Sequence, residues 1–250
     1  MMTSTIQSIL AAHKLWVDSG GTQGQRADLH GADLRDADLH GVDLSNADLR
    51  IADLRRANLM ETNLYEADLR KVNLRGADLT SANLHGANLQ DANLQDVNLQ
   101  DANLQDVNLR EADLHGVNLR GADLTSANLH GANLQDATLR NAYLGGANLH
   151  SADLREADLR EADLRGADLR EADLGDMKII QLGLLGSRHD YLVVKQFANG
   201  STEVMTGCFW GTLHDMETAV QQMDADHPHY LAEYTAALAY CRAVFAEEGA

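Results

Sequence analysis

The sequence predicts a solenoid, preceded by a helix and followed by a small α+β domain. Three observations carry this. Leucine stands at 29, 34, 39 and every fifth position through 174 without a break. The residue two before each leucine is Ala, replaced only by Val42, Thr62, Val72, Val97, Val107 and Val117. After residue 176 the repeat stops, and both cysteines, Trp210 and all three phenylalanines lie beyond that point.

A five-residue period suits neither common element. Five residues advance an α-helix by about 500°, so successive leucines would spiral round every face. On a strand an odd period sends alternate leucines to opposite sides. A chain that coils once every few repeats keeps them all on one axis, and short, strict self-similarity marks a solenoid. The composition agrees: aromatics are 4%, and a leucine–alanine interior is narrow and regular. Leu29, Leu34, Leu39, Leu44, Leu104 and Leu174 are therefore expected to fill the axis. Immediately before each leucine stands Asp or Asn, except at Thr138 and Tyr143.

This A(D/N)Lxx pattern resembles the pentapeptide-repeat family over residues 27–176. The resemblance implies an all-β, right-handed quadrilateral β-helix with four pentads per coil. Thirty pentads then make about 7.5 coils, with neighbouring coils roughly 4.8 Å apart. It also implies a non-enzymatic protein, and some family members occupy DNA gyrase in place of DNA.

Given such coils, residues twenty apart stack on one face, where like charges repel. From Asn83 to Asn108 the residue before leucine is Asn six times running, and stacked amides can hydrogen-bond without repulsion. In the same stretch acid moves to the last position, at Asp91, Asp96, Asp101 and Asp106. These fall on four successive faces as an acidic ring, a candidate contact for a basic partner. Arginines such as Arg120, Arg140 and Arg160 stack too and are expected to pair with acids such as Glu161. Residues 73–94 and 118–139 are identical except for Asn93 and Thr138. Their offset is nine pentads, which rotates the copy by one face and argues for a generic surface there. His130 and His150 should stack, without enough neighbours to bind a metal.

At the start of the chain, residues 3–17 read as a helix with Ile6, Ile9, Leu10, Trp16 and Val17 on one side, stopped by Gly20 and Gly21. Residues 1–26 thus form a cap and linker, since an open solenoid end needs a lid. Residues 177–250 read as a separate α+β domain. Met177–Leu185 and Tyr191–Ala198 are expected strands, Asn199-Gly200 a hairpin turn, and Glu203–Trp210 the return strand. Thr212 and Asp215 resemble a capping box. Pro228 opens a last helix, with Leu231, Tyr234, Leu238, Cys241 and Phe245 at helical spacing. The order of this tail loosely resembles those of bacterial and phage pentapeptide-repeat proteins. The polar cluster Ser187, Arg188, His189 and Asp190 reads as turn chemistry.

Net charge is −18. This opposes direct binding to nucleic acid or an anionic membrane and permits a basic protein partner. No nucleotide, zinc or hydrolase motif is present, so no catalytic, cofactor or metal site is expected. Two cysteines 33 residues apart make no disulfide framework. With no apolar leader or span, a cytoplasmic location is expected. The expected function is a non-catalytic interaction or scaffold protein. The alternatives are a DNA-mimic binder of gyrase or a similar enzyme, and a rigid spacer presenting the C-terminal domain for binding or homodimerisation.

Overall fold

Twenty residues separate every pair of bridged strands in the repeat. The bridges are parallel and run from Asp28↔Asp48 to Asp153↔Asp173. Twenty residues are four pentads, so each coil closes as a square. In the computed structural model, residues 4–185, 190–206, 209–222 and 228–246 are described. The chain divides into two compact units, Met1–Leu174 and Gly175–Ala250.

Three recurring hydrogen bonds build the pentads. The leucine N–H donates to the next coil, as in Leu29 to the Asp48 carbonyl at 2.7 Å. The alanine N–H closes a reverse turn on the preceding leucine, as in Ala32 to the Leu29 carbonyl at 3.0 Å. The Asp or Asn side chain then accepts the N–H two residues on, as in His30 N–H to Asp28 Oδ1 at 3.1 Å. This last bond explains the Asp/Asn position, which the sequence pattern marks only as outward-facing: the short side chain completes the turn. The last residue of a pentad is left-handed, from Asp36 at φ 55° to Glu171 at φ 59°, as a type II turn requires of its third residue.

The axis is full. Leu29 and Leu34 are 1% and 2% exposed, and Leu39, Leu44 and Leu104 are 0%. Leu174 departs from the expected core: like Leu169 before it, it is only half-buried, at the end of the leucine column. Thr62, at a small-residue position, is buried because its hydroxyl donates to the Leu39 carbonyl at 2.9 Å.

A helix, α1 (Ser4–Asp18), lies at the first coil. Its inward side carries Ile6, but its most buried residue is His13, which the apolar pattern passes over. The His13 Nδ1 accepts the Ala27 N–H at 3.1 Å, tying the helix to the first pentad. The chain can return only because residue 24 is glycine: a Cβ there would sit 2.1 Å from the Ala12 carbonyl oxygen.

The second unit holds a four-stranded antiparallel sheet in the order β1 (Lys178–Leu185), β2 (Asp190–Gln196), β3 (Thr202–Thr206), β4 (Phe209–Gly211). The expected return strand Glu203–Trp210 is corrected here. It is two strands, paired antiparallel through Met205↔Trp210. The alternating apolar pattern runs through the reversal, and a lone glycine at 207 gives no turn dipeptide to mark it. Ile180, Leu192, Val194 and Val204 share a core with Met216 and Val220 of α2 (Leu213–Gln221) and Leu238 and Cys241 of α3 (Pro228–Ala246). Burial pushes the Cys241 thiol up to about 11. The Thr212–Asp215 capping box opens α2.

Candidate interaction surface

The outside of the solenoid answers stacked charge in two ways. Toward both ends, arginine follows aspartate across the leucine, and the guanidinium folds back on its own pentad. Arg35 Nε and Nη2 donate to Asp33 Oδ1 and Oδ2 at 2.8 and 2.6 Å. The same bidentate clamp joins Arg50 to Asp48, Arg55 to Asp53 and Arg70 to Asp68, then Arg155 to Asp153, Arg160 to Asp158, Arg165 to Asp163 and Arg170 to Asp168. Paired hydrogen bonds from Arg35 and Arg170 hold the carboxyls of Asp33 and Asp168 down at about 2. The signal was the recurring Asp-Leu-Arg triplet, in which residues two apart share one side of the turn.

Mid-solenoid, amides replace the clamps. Asn83 Nδ2 donates to Asn63 Oδ1 at 3.0 Å, and Asn103 to Asn83 at 3.2 Å. On another face Asn108 donates to Asn88, Asn128 to Asn108 and Asn148 to Asn128, at 3.1–3.3 Å. These ladders follow the expected stacking of amides. The stacked imidazoles are also present: His130 and His150 lie 5.2 Å apart, tilted by 37°. No group of three or more metal-ligating side chains occurs among the described residues.

The structure places Asp91, Asp96, Asp101 and Asp106 at the four corners of one coil, all left-handed at φ 55–57° and all exposed. The columns of three of them give room, whereas Asp91 stands between Lys71 and Glu111. Gly76 and Gly116 flank Asp96, Ser81 and Gly121 flank Asp101, and Gly86 and Ser126 flank Asp106. The Asp101 carboxylate leans over Gly121, where a Cβ would meet its Oδ1 at 2.3 Å. Asp96 lies 3.9 Å from Arg75 Nε, and Asp101 accepts from Gln100 Nε2 at 3.1 Å. The side chains of Asp91 and Asp106 have no ion-pair or hydrogen-bond partner among the described residues. Arg140 reaches Glu161 at 3.5 Å, as the sequence suggested, whereas Arg160 turns to Asp158.

Of the polar cluster in the second unit, Ser187, Arg188 and His189 lie outside the described residues, and Asp190 opens β2. No helix among the described residues is long and apolar enough to cross a membrane.

The family model for pentapeptide repeats matches residues 25–60, 43–76, 57–96, 92–131, 102–141 and 137–176. Among solved structures, the chain is similar to HetL, a pentapeptide repeat protein involved in heterocyst differentiation regulation in the cyanobacterium Nostoc sp. strain PCC 7120. Identity is 38% over 61% of this chain and 82% of HetL, with a TM-score of 0.33. It is also similar to full-length QnrB1, a plasmid-mediated fluoroquinolone resistance protein, at 19% identity over 60% of this chain and 84% of QnrB1, with a TM-score of 0.45. A pentapeptide repeat protein of the Arabidopsis thaliana thylakoid lumen is 29% identical over 54% of this chain and 69% of its own, with a TM-score of 0.24. No curated protein matches the chain. With the family model running over more than half the sequence and a coil that closes every twenty residues, the chain belongs to the pentapeptide-repeat family.

Proposed function

We propose that the protein is a non-catalytic interaction protein whose acidic mid-solenoid coil engages a basic protein surface. One observation carries the reading: Asp91, Asp96, Asp101 and Asp106 project from four corners of a single coil, away from any bidentate arginine clamp. The clamped aspartates, in contrast, spend their lone pairs on their own arginines. A partner's lysines and arginines would meet these waist carboxylates without first breaking a bidentate clamp; only the long Arg75–Asp96 contact at 3.9 Å and the Gln100–Asp101 hydrogen bond stand in the way.

A titration with a cationic peptide tests this. Replacing the four waist aspartates by Asn should weaken binding more than replacing Asp33, Asp53, Asp153 and Asp168, although both variants lose four charges. Equal losses would mean that only net charge matters. A DNA-gyrase-type partner is the second reading, favoured by the net charge of −18. Supercoiling left unchanged by roughly micromolar protein, with or without a quinolone, would remove it.

A further inference from the structure

Four of the arginines in this acidic chain surround one open recess of about 450 Å³, lined by Arg35, Arg55, Arg56, Arg75, Gly76 and Asp96. Arg35, Arg55 and Arg75 are twenty apart and so stand in one column, one coil above another. Three of the four guanidiniums are committed. Arg35 and Arg55 clamp Asp33 and Asp53, and Arg56 donates twice to Asp36 at 2.8 Å.

Arg75 differs because its pentad carries Asn73 in place of Asp. The Asn73 side chain accepts the Arg75 backbone N–H at 3.2 Å, but an amide offers no carboxylate for the guanidinium. The Arg75 side chain makes no hydrogen bond among the described residues, and its nearest acid is Asp96 at 3.9 Å. It thus brings its guanidinium N–H donors, unspent, to a recess walled by three other cations. Gly76 lines the recess between Arg56 and Asp96 in their column, and the space beside it is loose: a Cβ there would lie 3.7 Å from the nearest atom, Arg56 Cγ.

We propose that this recess binds a phosphate-class oxyanion, held by Arg75 with the neighbouring arginine column. A planar guanidinium matches a phosphoryl group bidentately. The lining has no aromatic or aliphatic side chain to hold a base or an acyl group, so recognition is confined to the anion. Asp96 opposes it from the rim, which gives the proposal a signed prediction. The inference does not depend on the basic-partner reading, because Asp96→Asn has opposite effects in the two.

The test follows arginine Nε–H resonances of the full chain during titration with inorganic phosphate, and in parallel with a phosphoserine peptide and its unphosphorylated form. Saturable shifts at Arg75 and its column are expected. Arg75→Gln should weaken binding at least ~10-fold, while Arg120→Gln, another arginine that follows Asn, should leave it unchanged. Asp96→Asn should tighten it. Saturation by the peptide alone would assign the site to a presented phosphoryl group, and saturation by both to phosphate in any form. Absence of saturation by either, equal loss in the two arginine variants, or no gain in Asp96→Asn would overturn the proposal.

Discussion

The ends and the waist of the solenoid share one backbone and one leucine axis, yet they handle stacked surface charge oppositely. At the ends a carboxylate is kept and neutralised within its own pentad by arginine. At the waist the carboxylate leaves the ladder, an amide takes its place, and the acid reappears at the corner. The turn takes an acceptor before nearly every leucine, and Asp and Asn both supply it; Thr138 and Tyr143 show that the coil also closes without either. The choice between them is therefore free to set where charge is exposed.

Breaking the shared axis should give the largest effect and should not distinguish the regions. Leu54→Ala at the end and Leu104→Ala at the waist should each lose about 2–5 kcal/mol in denaturant unfolding. Leu174→Ala, at a half-buried position, should lose clearly less. The N-terminal end has its own weak point. His13→Ala strands the buried Ala27 N–H and should cost about 1–3 kcal/mol. Burial lowers the pKa of His13, partly offset by Asp43, so the native state binds fewer protons than the unfolded one. The contribution of His13 is then full above pH 6.5 and falls as the pH drops below that value. Hydrogen exchange of the Ala27 amide across this range checks it. Ile51 is a β-branched residue held left-handed at φ 60° and 57% exposed. Ile51→Asn should raise stability by about 1 kcal/mol.

Exchanging the two charge solutions should have smaller effects of opposite sign. Asn103→Asp places a carboxylate against the Asn83 ladder without a clamp and should cost about 0.2–1 kcal/mol. Asn73→Asp, beside Arg75, should instead be neutral or stabilising by up to about 1 kcal/mol. The clamps themselves should give the faintest signal. With the folded values of Asp33 and Asp168 at about 2 and the ordinary value at 3.8, their contribution is present above pH 3.8. It is lost as the pH falls through about 2, a window that carboxyl NMR titration resolves.

The solenoid was legible in the sequence because each position of the pentad has one steric duty, repeated without interruption. Once the family resemblance supplied four pentads per coil, the amide ladders and the His130–His150 stack followed from the twenty-residue column. The arginine clamps were harder to see, since they join residues of one pentad rather than of one column. His13 was hidden because a buried imidazole acting as acceptor looks polar in an apolar pattern. In the second unit, helices with caps and spaced apolar residues were readable, as Thr212–Asp215 shows. The β3–β4 reversal was not, because strand alternation carries no record of where a chain turns unless a turn residue does.

The tie between His13 and Ala27 has a consequence for folding. A solenoid of interchangeable coils can slip by five residues and still seat every leucine in a leucine site, so the repeat cannot by itself choose its starting frame. Features that occur once can do so, among them the Thr62 hydroxyl on the Leu39 carbonyl and the contact at the first pentad. The imidazole that receives the Ala27 amide, admitted by the glycine at 24, defines which pentad is first. A five-residue slip of the first coil would have to give up that bond.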